Sequence, residues 1–146
     1  MAENPMVGLW KLVSCEAIRA NGIRIPIYGR HPVGVLYYDA AGNMSVHIMK
    51  SGRRHCSSDT KFGASEAEMK TAYEGYEAYF SRYTIDTEQH TISHRVVGSL
   101  FPNWTGSVQR RHYAFKGEDR VVLSTEPIGS EPRNGPIVEL VWERMH

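Results

Sequence analysis

Apolar and polar side chains alternate along most of the chain, in short runs separated by glycine, proline, asparagine and aspartate. Alternation with a period of two is typical of strands with one buried face. We predict eight strands, over residues 9–19, 33–38, 44–49, 80–86, 91–100, 107–115, 120–125 and 137–145. A short extended element is predicted over residues 23–27, where Pro26 favours an edge, and a loop over the proline-rich residues 127–136.

The period changes to that of a helix after residue 64. Ser65 and Glu68 have the spacing of a capping box, in which the serine hydroxyl and the glutamate carboxylate accept bonds from the first free backbone N–H groups. Apolar residues then recur at helical spacing, at Met69, Ala72, Tyr73, Tyr76 and Phe80. We predict one helix over residues 66–79, with this apolar stripe packed on the sheet or, as an alternative, closing over a binding cavity as a lid.

Eight antiparallel strands in one domain, residues 1–146, must protect their sheet edges. A sheet closed into an eight-stranded barrel has no edges and can hold one small ligand. A sandwich of two sheets is the alternative, and its core is solid. Strand spacing alone does not choose between the two.

Charge and composition narrow the range of partners and compartments. The chain has 17 Lys and Arg residues and 16 Asp and Glu residues, which gives a net charge of +1. Such a small charge does not attract the phosphate backbone of a nucleic acid, so we expect no nucleic acid partner. With only two cysteines, no apolar run of membrane length and no signal peptide, we expect a cytoplasmic protein without a membrane partner. Dinucleotide, Walker and zinc motifs are absent from the sequence, so we expect no cofactor and no metal.

Gly8-Leu9-Trp10 resembles the G-x-W signature of lipocalins, in which the tryptophan plugs the closed end of the barrel. The wider resemblance is carried by GLWKLVS (8–14), GVLYY (34–38), GNMSV (42–46), YEAYF (76–80), HRVVGSLFPNWTG (94–106) and LVWER (140–144). In this order they resemble the lipocalin-like domain family of bacterial and fungal proteins. The resemblance implies an all-β, up-and-down lipocalin-like barrel. Among related barrels are carriers of apolar molecules and cyclases or isomerases of natural-product pathways.

Strand alternation predicts which side chains enter the barrel. If Trp10 points inward, Ser14 and Glu16 also point inward, because they lie on the same face of the strand. His94 shares its face with Ile92 and Val96, and Tyr83 shares the more apolar face of its strand. The same argument turns Gln109, Arg111, Tyr113, Leu140 and Trp142 inward, whereas residues 44–49 allow either orientation.

Three of these residues form a candidate acid–base set. A neutral His94 could exchange a proton near pH 7, and Arg111 could stabilise an enolate or carboxylate. Glu16 could hold Arg111 or act as the acid. The alternatives are a structural Glu16–Arg111 ion pair and a core histidine with satisfied hydrogen bonds. Residues predicted to contact the substrate are Ser14, Tyr37, His47, Tyr83, Gln109, Tyr113, Trp104 and Trp142.

The inward polar residues, together with what the family resemblance implies, favour a cofactor-independent isomerase or cyclase that acts on a polyketide- or terpenoid-type substrate. The first alternative is a non-catalytic carrier, in which Arg111 binds a ligand carboxylate. The second is a solid-cored domain that acts through its surface, with a homodimer as one form.

Overall fold

The computed structural model describes residues 4–127 and 135–146, so most of the predicted loop 127–136 lies outside the described residues. The strands in this part of the chain are β1 Gly8–Ile18, β2 Arg24–Pro26, β3 Val33–Tyr38, β4 Asn43–Met49, β5 Tyr76–Asp86, β6 Thr91–Ser99, β7 Val108–Phe115, β8 Arg120–Thr125 and β9 Ile137–Arg144. The helix α1 spans Glu66–Glu74, and 3₁₀ turns span Lys61–Gly63 and Pro102–Trp104.

The sheet closes on itself. All neighbouring strands are antiparallel, and β1 pairs with β3 on one side and with β9 on the other. Strands β1 and β3 to β9 form an eight-stranded barrel, while β2 adds three residues beside the end of β1. The predicted barrel is confirmed over the sandwich, because closure pairs the backbone groups that a sandwich leaves at its edges.

Trp10 fills one end of the barrel, as its resemblance to the G-x-W signature implies. The ring is fully buried, its Nε1 donates to the Met6 carbonyl at 3.0 Å, and the guanidinium of Arg144 lies 4.2 Å from the ring centroid. Phe115 packs beside the ring. This end is therefore the closed end, and the opposite end of the strands is open.

A β-bulge in β1 changes the inward face of that strand. Leu12 pairs with Trp142, but Ser14 pairs with Val141, so one extra residue lies between the two pairs. A bulge of one residue moves every later side chain to the other face. Cys15 is therefore buried, and the prediction that Ser14 and Glu16 point inward is wrong.

The helix is shorter than predicted. Ser65 and Glu68 form the capping box, but α1 ends at Glu74, and residues 76–82 pair with β4 instead of continuing the helix. Pairing with β4 satisfies the same backbone groups and also buries Tyr79. No α1 residue is buried, so the prediction that its apolar stripe packs on the sheet is wrong. In the described residues no helix is both long and apolar enough to span a bilayer.

Candidate functional site

A cavity of about 520 Å³ occupies the barrel between the closed end and the open end. Its volume lies within the range of pockets that enclose small molecules. The floor is mostly apolar, and the most deeply buried residues there include Leu36, Met44, His94, Leu123 and Trp142. Around the mouth lie Ile27, Tyr28, Glu77, Trp104, Val108, Thr125 and Glu126. No residue of α1 lines the cavity, so the alternative of a lid formed by the helix is not seen.

Strand alternation correctly predicted much of the cavity wall. His94 on β6, Gln109 and Arg111 on β7, and Leu140 and Trp142 on β9 all line the cavity. On β4, where the sequence left both orientations open, Met44, Val46 and Ile48 line it. Trp104, on the turn before β7, also lines the mouth, and its ring packs edge-on against Tyr79 at 5.9 Å.

His94 lies between two tyrosine hydroxyls. The side chain is 1% exposed, with Nε2 2.6 Å from the Tyr38 hydroxyl and Nδ1 2.9 Å from the Tyr79 hydroxyl. Burial, and secondarily the charge of Arg111, lowers the pKa of His94 to about 3. The imidazole is therefore neutral at pH 7, and both ring nitrogens already have hydrogen-bond partners.

Arg111 brings a positive charge into this apolar setting. Its Nη1 donates to the Arg110 carbonyl at 3.0 Å. Among the described residues, no carboxylate lies within 4.0 Å of its guanidinium. Burial raises the pKa of Tyr79, and the positive charge of Arg111 lowers it in part. Arg111 is thus a cavity-lining donor that makes no close ion pair with any of the described residues.

Glu77, Tyr28 and Cys15 line the cavity close together, and burial raises the pKa of each. Burial raises the pKa of Glu77, while the Ala78 N–H, 3.0 Å from its Oε1, and the more distant Arg111 lower it in part. Burial, with the charge of Glu77, raises the pKa of Tyr28 to about 12. Burial, with the charge of Glu16, raises the pKa of Cys15 to about 12, so its thiol is not a nucleophile at pH 7.

Glu16 lies outside the cavity. The bulge in β1 turns its side chain to the outer surface, where it lies 3.5 Å from Arg24. Arg24 makes a closer pair with Glu139, at 2.9 Å. The predicted Glu16–Arg111 pair is therefore wrong.

The residues predicted to contact the substrate fall into three groups. Gln109, Trp104 and Trp142 line the cavity, and their contact with a ligand stays a prediction. Tyr83 and Tyr113 point inward but pack below the cavity floor, where Tyr83 bonds the Asp39 carbonyl and Tyr113 contacts Phe115. The remaining three, Ser14, Tyr37 and His47, lie outside the cavity lining, so the prediction that they face a ligand there is wrong.

Each of these three has a local reason for its orientation. Ser14 follows the bulge. Tyr37 is 47% exposed because the alternation of β3 buries its neighbour Tyr38. His47 lies on the outer face of β4, with Nδ1 3.0 Å from the Tyr76 hydroxyl. Because the two faces of β3 are almost equally apolar in sequence, no local signal distinguished Tyr38 from Tyr37.

Sequence reasoning missed Tyr38, Glu77, Tyr28 and Cys15 as site residues. The contact of Tyr79 with His94 was not predicted either. The sequence feature that could have indicated these tyrosine contacts was the predicted inward His94, because a buried imidazole needs two hydrogen-bonding partners.

The described residues offer little to a metal ion. No group of three His, Cys, Asp or Glu side chains there could hold one. Among the same residues, Trp142 Nε1 is the one buried side-chain nitrogen or oxygen without a hydrogen-bond partner. The polar side chains that line the cavity are two tyrosines, one neutral histidine, two arginines, two glutamates, one glutamine and one threonine, namely Tyr28, Tyr79, His94, Arg110, Arg111, Glu77, Glu126, Gln109 and Thr125.

Comparison with known proteins gives three findings. The sequence model of the lipocalin-like domain family matches residues 7–145. The 4'-hydroxy-3'-methoxypropiophenone carrier protein ppsC of Aspergillus oryzae is 28% identical over 111 residues, which are 70% of this chain and 96% of that protein. A solved structure of a redesigned β-barrel has a TM-score of 0.45 and 10% identity, over 97% of this chain and 93% of that one.

Proposed function

The chain belongs to the lipocalin-like domain family, and we propose that it binds one small, largely apolar ligand inside the barrel without converting it. The observation that carries this proposal is Arg111, a cation on the wall of a largely apolar cavity with no carboxylate within 4.0 Å of its guanidinium in the described part of the chain. Arg111 is partly buried, and a cation in a largely apolar wall gains from an anion or hydrogen-bond acceptor placed beside it. A ligand oxygen placed beside it would therefore bind favourably, while the apolar wall would hold the rest of the molecule.

The name of the Aspergillus oryzae relative supports a particular class of ligand. That protein is described as the carrier of an aryl ketone with hydroxyl and methoxy substituents. Such a molecule has a flat apolar ring and several oxygen atoms that accept hydrogen bonds. We extend this class to the present protein, because aromatic rings at Tyr79, Trp104 and Trp142 line its cavity together with Arg111.

The competing hypothesis is a cofactor-independent isomerase or cyclase of a polyketide- or terpenoid-type substrate, with His94, Arg111 and Glu16 as catalytic groups. The geometry favours binding over this chemistry. Both nitrogens of His94 face tyrosine hydroxyls, and burial lowers its pKa to about 3, far from the range useful to a general base at pH 7. Glu16 lies on the outer surface, away from the other two.

A titration with 4'-hydroxy-3'-methoxypropiophenone tests the proposal. Binding is followed by tryptophan fluorescence, because Trp104 and Trp142 line the cavity. We expect saturable binding and a loss of affinity of about 10- to 100-fold in Arg111→Gln, since hydrogen bonds to charged groups are the stronger ones. The matched control is Arg95→Gln, which changes an exposed arginine on the outer face of β6 and should bind like the wild type.

The same samples separate a carrier from an enzyme. Mass spectrometry and chromatography of the released ligand should return it unchanged after long incubation. Equal affinity in Arg111→Gln and the wild type would contradict the assignment of Arg111, and accumulation of an isomer would contradict non-catalytic binding. Cytoplasmic location is part of the same proposal, supported by the free thiols Cys15 and Cys56, and a homodimer stays a prediction of the sequence.

A further inference from the structure

Tyr38, His94 and Tyr79 form a chain of hydrogen bonds that ends at the cavity wall. The two contacts measure 2.6 Å, from Tyr38 to Nε2, and 2.9 Å, from Tyr79 to Nδ1. A neutral imidazole has one N–H group and one bare nitrogen. One tyrosine must therefore donate its hydrogen to the ring, and the other must accept the hydrogen of the ring.

Tyr38 determines which of the two arrangements is present. Its side chain is 0% exposed, and among the described residues His94 Nε2 is the single hydrogen-bond partner of its hydroxyl. If Nε2 carried the ring proton, the Tyr38 hydrogen would be buried with no acceptor, which proteins avoid because of the desolvation cost. Tyr38 therefore donates to Nε2, and the ring proton is on Nδ1.

The proton on Nδ1 fixes the role of Tyr79. Nδ1–H donates to the Tyr79 oxygen, so the hydroxyl hydrogen of Tyr79 is left free to point into the cavity that this residue lines. The guanidinium of the neighbouring Arg111 is a hydrogen-bond donor as well, and it has no acceptor atom. Two donors of different elements, β5 and β7, thus reach the same region of an otherwise apolar wall.

We propose that Tyr38 and His94 are positioning residues that hold Tyr79 as a hydrogen-bond donor, so that Tyr79 and Arg111 together bind a carbonyl oxygen of the ligand. This inference rests on the proposed function and specifies which oxygen of the ligand is recognised. A ketone accepts from both donors through the lone pairs of one oxygen, whereas a hydrocarbon of the same shape leaves both donors without an acceptor. The site is therefore selective for the carbonyl group.

The position of the ring proton is read directly by NMR. In ¹⁵N-labelled, ligand-free protein at pH 7, a long-range ¹H–¹⁵N correlation spectrum distinguishes protonated from bare ring nitrogens, and His94→Gln identifies the His94 signals by their loss. We expect Nδ1 protonated and Nε2 bare. A proton on Nε2 would overturn the proposal, whatever the protein binds.

Binding of two matched probes, propiophenone and propylbenzene, measures the selectivity. In Tyr79→Phe the affinity for propiophenone should fall about 5- to 10-fold, and that for propylbenzene should not change. Tyr37→Phe, which alters the exposed tyrosine on β3, is the control and should leave both affinities unchanged. An equal loss for both probes in Tyr79→Phe would mean that Tyr79 only shapes the cavity, and would overturn its role as a donor.

The two experiments separate this inference from the proposed function. If the wild type binds neither the probes nor 4'-hydroxy-3'-methoxypropiophenone, the proposed function fails, and the state of His94 still decides whether Tyr79 is held as a donor. Thermal unfolding of Tyr79→Phe establishes that the variant is folded before its affinities are compared. Should it not fold, the NMR measurement on the wild type remains decisive.

Discussion

Replacing Trp10 by alanine is expected to destabilise the fold by about 3–5 kcal/mol, the usual cost of removing a buried tryptophan ring. The ring is fully buried at the closed end of the barrel. Its loss removes the hydrogen bond from Nε1 to Met6 and the contact with the Arg144 guanidinium, besides leaving a void beside Phe115. Unfolding in urea, followed by circular dichroism, measures the change.

The neighbouring residue provides the control for Trp10→Ala. Leu9 is on the same strand, but its side chain is 39% exposed on the outer face. Leu9→Ala should cost less than about 1 kcal/mol, because little apolar area is lost from the interior. If the two variants were equally stable, Trp10 would not be the structural plug of the closed end.

Acidification from pH 7 to pH 5 is expected to remove about 2 kcal/mol of stability through His94 alone. The pKa of this histidine is about 3 in the folded protein, lowered by burial and then by Arg111, against 6.5 as the unperturbed value. Between these two values the unfolded chain binds a proton that the folded protein cannot accept. Stability therefore rises with pH in this window, by about 1.4 kcal/mol per pH unit below 6.5.

Urea unfolding curves at several pH values between 4 and 7 measure this dependence. His94→Gln removes the titrating group and should make the fall in unfolding free energy smaller by about 2 kcal/mol between pH 7 and pH 5. His47→Gln changes an exposed histidine on β4 and should follow the wild type. Identical pH dependence in the wild type and in His94→Gln would show that His94 is not held neutral by the fold.

Strand alternation predicted the fold because the two faces of most strands differ strongly in polarity. On β6, Ile92 and Val96 accompany His94 inward, opposite the exposed Arg95. On β9, Leu140 and Trp142 face inward as predicted. The eight strands could thus be predicted before the structure, whereas the choice of a closed barrel over a sandwich depended on the resemblance to the lipocalin-like domain family.

The errors arose where a strand departs from regular geometry. The bulge after Leu12 has no clear sequence signal, yet it reverses the rest of β1 and moves Glu16 to the surface. The end of α1 at Glu74 was missed because Tyr76 and Phe80 fit both a helical stripe and a strand. In that segment pairing with β4 overrides local propensity.

The hydrogen bonds of the candidate site could not be predicted from spacing. Tyr38, His94 and Tyr79 are separated by 56 and 15 positions along the chain, and only the barrel brings their polar atoms together. The sequence indicated an inward histidine near an inward arginine. It did not show that a tyrosine hydroxyl is hydrogen-bonded to each ring nitrogen of His94. This arrangement is the reason for which we propose a binding site rather than an acid–base catalyst.

The central claim, that a small ligand binds inside the barrel, is tested most directly by intermolecular NOEs to 4'-hydroxy-3'-methoxypropiophenone in methyl-labelled protein. We expect NOEs to the cavity methyl groups of Val46, Leu123 and Leu140. The outward methyl groups of Val33 and Val35 should show none. NOEs confined to the outer face of β3, or the absence of NOEs at a saturating concentration of the compound, would contradict it.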